Sequence, residues 1–91
     1  MAKVGFVKGA EEKYKLLTNG IKGSIDGFLK ELSDGKINKS ELNIFAEQKS
    51  TGQVIYYKEC EKINVILTHL KDDLWIILDF LTPQEFKEIV R

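Results

Sequence analysis

Between Gln53 and Leu81 the apolar residues fall into three runs, Gln53–Cys60, Ile63–Leu70 and Leu74–Leu81, separated by Glu61-Lys62 and Lys71-Asp72-Asp73. Runs rich in Val, Ile, Tyr, Phe and Trp and bounded by charged breaks predict strands joined by tight turns. In the second and third runs both alternating sets are apolar. Ile63, Val65 and Leu67 alternate with Ile66 and Leu70, and Ile76, Leu78 and Phe80 alternate with Trp75, Ile77 and Leu81. A strand apolar on both faces is expected in the sheet interior, covered by helices or by a partner chain. Strict alternation sets Leu78 and Phe80 towards the helices. It leaves Tyr57, Asn64, Thr68, Trp75 and Asp79 on a half-exposed face. Tyr57, Trp75 and Ile77 are therefore the interface candidates, and a dimer or hetero-complex is expected.

The preceding half carries a different period. Lys3–Lys8 alternates as a short strand with Val4 and Phe6 on one side, ended by Gly9. Ala10, Tyr14 and Leu17 recur at helical spacing over Ala10–Thr18, with Glu11 and Glu12 suited to the helix start and Gly20 to the stop. Ile21, Ile25, Phe28, Leu29 and Leu32 form the apolar stripe of a second helix over Ile21–Ser33. Gly23 and Gly27 weaken this helix by about 1 kcal/mol each relative to Ala and leave room for close approach of the first helix. Lys36–Ser40 is a polar connection, Glu41–Gln48 alternates as a further strand, and Lys49–Gly52 makes a hairpin turn. Thr82, Pro83 and Glu85 read as N-cap, first helical residue and capping-box acid of a final helix whose apolar side is Phe86, Ile89 and Val90. The expected order is β-α-α-β-β-β-β-α. This is an α+β domain with an antiparallel sheet of four or five strands and a helical hairpin on one face.

Composition narrows the chemistry. A chain of 91 residues makes one domain with a modest core. Lysine plus arginine and aspartate plus glutamate balance at 14 each, which speaks against a general nucleic-acid-coating surface. Arg91 is the sole arginine, so forked recognition of phosphate or carboxylate is nearly unavailable. Cys60 is the sole cysteine, which rules out an internal disulfide and fits a reducing compartment. Met1–Ala10 lacks a signal-like apolar segment, and the longest apolar run, Leu74–Leu78, falls far short of a membrane span. A cytoplasmic protein without membrane contact is expected.

Few side chains suggest catalysis. His69, the sole histidine, sits on an apolar strand face with Val65 and Leu67, a structural setting. No serine lies in a nucleophile-elbow pattern that could join His69 and Asp79. Metal ligands are too few for a site, and no cofactor motif is present. Asp79 lies inside an apolar run and requires water, a lysine or a backbone N–H as partner. Tyr56, Tyr57, Lys58 and Lys62 form the one basic-aromatic cluster, the residue types that stack bases and hold phosphates.

Gly52–Tyr57 (GQVIYY) followed by Lys58, then Ile63–Leu67 (INVIL) and Leu74–Leu78 (LWIIL), resembles the RelE/ParE superfamily of toxins from toxin–antitoxin modules. The likeness covers most of the chain, in length and in the order of first strand, helical hairpin, meander and short C-terminal element. RelE-type members cleave mRNA in the ribosomal A site, with basic side chains stabilising the transferring phosphate. ParE-type members poison DNA gyrase, and both are neutralised by an antitoxin lying across the toxin. The resemblance implies Lys58, with Lys62 nearby, as a phosphate contact. The family's second basic position falls on Asn64, the aromatic before it on Ile63, and its C-terminal tyrosine on Phe86, which has no hydroxyl. Lys58, Lys62 and Asn64 are thus the catalytic candidates. The expectation is a toxin-type protein that binds an antitoxin-like partner, with cleavage of ribosome-bound mRNA weak or absent and the target itself open. A reading from another class is a non-catalytic protein-interaction domain that self-associates as a homodimer.

Overall fold

The computed structural model describes residues 2–89. The elements are β1 (Lys3–Phe6), α1 (Lys8–Lys15), α2 (Asn19–Ser33), β2 (Asn43–Gln48), β3 (Gln53–Cys60), β4 (Ile63–Leu70), β5 (Leu74–Leu81) and α3 (Pro83–Ile89). The fold is α+β in the expected order, and β3, β4 and β5 have the bounds that the apolar runs predict. The 5-stranded sheet is ordered β1-β5-β4-β3-β2. It is mixed rather than purely antiparallel, because β1 pairs in parallel with β5, Val4 opposite Trp75 and Phe6 opposite Ile77. The helical hairpin and the meander turn the chain back an even number of times between β1 and β5, and two strands so related run the same way. No local pattern in β1 encodes that partner.

The helices form where the apolar period is helical, with shifted starts. Lys8, Gly9 and Ala10 make the first turn of α1, so Gly9 does not separate strand from helix. Gly20 lies in the first turn of α2 rather than ending α1; Thr18, with extended backbone, is the N-cap. Ile25, Phe28 and Leu32 bury the predicted stripe, with Ile21 and Leu29 half-buried beside it. A Cβ on Gly23 or Gly27 would meet nothing within 4 Å, so neither glycine permits a close helix contact, contrary to expectation. Gly35, at φ +74°, does meet a backbone need: its left-handed conformation ends α2 and turns the chain towards β2. A 3-10 turn at Lys39–Glu41 delays β2 to Asn43, and Asn38 N–H donates to Glu41 Oε2 at 3.2 Å to cap it.

A bulge decides which residues face the helices. Leu67 pairs with Ile77 but its neighbour Ile66 pairs with Asp79, so Leu78 is the extra residue. An extra residue reverses the alternation beyond it. Trp75, Ile77 and Phe80 therefore share the helix-covered face with Tyr56, Val65 and Leu67. Trp75 is 3% exposed and Ile77 is 0% exposed. Both were interface candidates under strict alternation, and both are core. Phe6, Tyr14 and Phe80 form an aromatic group under α1, with ring centroids 5.5 to 6.2 Å apart. No helix among the described residues is long and apolar enough to cross a membrane.

Candidate functional site

The second sheet face is covered differently. Tyr57 pairs with Ile66, Asn64 with Glu59 and Leu81, and Asn43 with Tyr57, so these side chains lie on the face away from α1 and α2. The chain leaves β5 at Leu81 and immediately enters α3. Thr82 N–H donates to Glu85 Oε1 at 2.9 Å and Glu85 N–H donates to Thr82 Oγ1 at 3.2 Å, the reciprocal capping box the sequence predicts. The same backbone hydrogen bond holds the Glu85 carboxyl below its ordinary value. The cap fixes the direction of α3 and lays Phe86 over Tyr57, ring centroids 4.7 Å apart, and near Phe45 at 5.8 Å. Val90, predicted on the apolar side of this helix, lies outside the described residues.

Beside this aromatic trio is a hollow of about 360 Å³, lined by Asn43, Tyr57, Glu59, Asn64, Phe86 and Lys87 among others. Of the predicted site residues, Tyr57 and Asn64 meet here, with Phe86 beside them. Asn64 is buried, yet no side-chain nitrogen or oxygen among the described residues is both sealed from water and unpartnered. Lys58 does not join them. It pairs with Val65, so it belongs to the opposite face, where its side chain reaches solvent. Lys62 is exposed in the turn after Glu61, whose φ is 52°. The cation of the hollow is Lys87, which no sequence signal singled out; its neighbour Phe86 was the only pointer. The Glu59 carboxylate stands on the same wall.

Other reactive groups lie apart from this hollow. The Cys60 thiol is pushed up by burial, against a smaller downward pull from Lys58, so it is a protonated core group and not a nucleophile. His69, at the far end of β4, bonds Asp73 through Nε2 at 2.8 Å and stacks on Trp75 at 4.3 Å between centroids. Asp79 has both partners its position demands. Lys13 Nζ lies 2.7 Å from Oδ1, and the Phe80 N–H donates to the same oxygen at 2.8 Å. Among the described residues no three His, Cys, Asp or Glu side chains converge as metal ligands.

No family model matches the chain, nor does any curated protein or solved structure.

With its aromatic floor and mixed polar rim, the hollow is suited to holding another chain's side chains. It is poorly equipped for phosphoryl chemistry, which needs several donors aimed at developing negative charge.

Proposed function

We propose that this chain is a RelE/ParE-like toxin-type protein that acts by binding a partner protein, with mRNA cleavage weak or absent. The observation that carries the reading is the hollow at α3. Three positions tied to the family by sequence, Tyr57, Asn64 and Phe86, line it together although they come from three separate elements. Aromatic residues gathered beside a polar rim are the usual anchors of a protein interface. The partner is an antitoxin-like segment lying across this face, in the cytoplasm.

Cleavage of an RNA phosphodiester builds negative charge on the equatorial oxygens. The hollow offers Lys87 with the Glu59 carboxylate nearby, and Phe86 has no hydroxyl to position a proton. Lys58 faces the other way. Loss of one preorganised donor costs about a hundredfold or more in rate, so ribosome-bound mRNA should be at most a slow substrate. The test co-expresses the chain with the product of a short neighbouring reading frame. The expected result is a stable complex weakened by about 30-fold in Tyr57→Ala or Phe86→Ala, as for interface anchors, and no efficient cleavage of ribosome-bound mRNA. Cleavage that collapses in Lys58→Ala would overturn the proposal and make the protein a nuclease.

A specific feature favours the second reading, a non-catalytic domain that self-associates. β2 is one of the two edge strands of the sheet, and Ile44 on it is 62% exposed. Unpaired edge strands carrying apolar side chains pair readily with another copy. In that case sedimentation shows a concentration-dependent dimer that Ile44→Lys abolishes.

A further inference from the structure

At the opposite end of the sheet lies a second hollow, about 440 Å³, on the helix-covered side. Its walls are the connection from α2 to β2 and the turn from β4 to β5. Lys36, Lys39, Glu41, His69, Asp73 and Trp75 supply its chemistry.

Both walls are fixed by backbone devices. Gly35, in the left-handed region, ends α2, with Gly35 N–H donating to Leu32 at 3.1 Å and Lys36 N–H to Glu31 at 2.9 Å. The 3-10 turn at Lys39–Glu41 is closed by its own capping box. On the other wall Asp72 and Asp73 are consecutive non-glycine residues at φ 62° and 55°. Glycine is the easiest residue at such positions. At position 73 an aspartate stands instead, and its carboxylate holds His69 Nε2 at 2.8 Å. Trp75 backs the imidazole at 4.3 Å. The ring is thus clamped by a carboxylate on one nitrogen and an indole on one face. Its Nδ1 makes no hydrogen bond among the described residues.

Two lysines and two carboxylates line the hollow, so its formal charges balance and the groups differ in their partners. Both carboxylates are engaged inside the protein, Glu41 by the Asn38 N–H and Asp73 by His69. Lys36 and Lys39 form no ion pair among the described residues. What remains open at the hollow is two ammonium groups, which donate, and His69 Nδ1, which in the neutral ring accepts while Nε2–H is held by Asp73.

We propose that this hollow binds a phosphate-class anion, free phosphate or a phosphomonoester. Lys36 and Lys39 supply the charge, and His69, positioned by Asp73 and Trp75, offers Nδ1 as the acceptor for a P–OH of the protonated anion. Lysine binds phosphate as a point charge, and an imidazole fixed by a carboxylate meets its ligand in one orientation. This site is independent of the hollow at α3.

The experiment uses two probes the chain carries singly. His69 is the sole histidine and Trp75 the sole tryptophan. Inorganic phosphate and a nucleoside 5′-monophosphate are each titrated into the full chain at ionic strength held constant with sodium chloride. Trp75 fluorescence and the His69 imidazole proton resonances are followed together. Both signals should move along one saturable curve. A response to phosphate alone supports a phosphate site, and a response only to the monophosphate supports a site that also contacts the organic part. In Lys36→Gln/Lys39→Gln, whose positions are exposed, affinity should fall about tenfold or more, the usual consequence of losing a charged donor. Lys58→Gln, outside the hollow, should leave it unchanged. Absence of saturation with both ligands, or undiminished binding in the double variant, would overturn the proposal.

Discussion

The two faces of the sheet are made by the same strands but differ in what covers them. One face meets two helices and is apolar along β4 and β5: Val65, Leu67 and Ile77 are wholly buried, with Ile25 and Leu32 above them. The other face mixes Asn64 and Thr68 with Ile66 and Tyr57 and has only the seven-residue α3 over one end. Burying a continuous apolar face stabilises, at roughly 25 cal/mol per Å², but leaves nothing for a ligand to contact. A face with partial cover retains polar groups and half-exposed aromatics. The first face therefore holds the fold together, while the second buries Asn64, Ile66 and Thr68 but keeps Tyr57 only half-buried.

The largest expected effect tests the first face. Leu67→Ala or Leu32→Ala should cost about 2–5 kcal/mol, as for fully buried leucines; Leu29→Ala, at a half-buried position, should cost less. Urea denaturation measures this, and an unmoved midpoint for Leu67→Ala would remove the distinction between the faces. Phe86→Ala probes the second face. Loss of its ring contacts with Tyr57 and Phe45 should cost about 1–2 kcal/mol of stability, well below the core substitutions, while partner binding suffers far more. Equal damage to stability from Phe86→Ala and Leu67→Ala would make α3 part of the core.

Thr82→Ala comes next, at about 1 kcal/mol through loss of the α3 cap, and circular dichroism should show reduced helix with an intact sheet. The Lys13–Asp79 pair is partly exposed, so Lys13→Ala should cost less than about 1 kcal/mol and the loss should shrink in high salt. A loss insensitive to salt would point to the packing of α1 instead. The smallest effect is on pH. Glu85 is held below its ordinary 4.5, chiefly by the Thr82 backbone hydrogen bond. A carboxyl depressed in the folded state contributes stability that is present above its unfolded value and lost as pH falls through the folded one. Melting temperature should therefore decline slightly on the acid side of that value, and Glu85→Gln should remove that component of the decline. The group's exposure keeps it small.

Legibility in the sequence follows the range of the interaction. The capping box of α3 involves residues three apart, and Thr82 and Glu85 announced it without ambiguity. Tyr57 and Asn64 were recognisable as site positions through their neighbours in the strand runs. Lys87 was not, because its place in the hollow depends on where α3 folds back over the sheet. Lys58 does not join Asn64, because pairing with Val65 sends it to the other face. Trp75 and Ile77 misled for one reason, the extra residue at Leu78, which no composition signal marks.

Periodicity by itself determined the strand runs, the helical stripe, the turns and the order of elements, because each is set by residues within a few positions of one another. Tertiary structure alone decided the parallel pairing of β1 with β5, the bulge that turns Trp75 into the core, and the meeting of Tyr57, Asn64 and Phe86 under α3. It also decided the clamping of His69 between Asp73 and Trp75 beside Lys36 and Lys39. Each joins residues whose proximity depends on register and on the path of the whole chain. A one-residue shift in register exchanges the two faces of a strand, and that shift has no local signature.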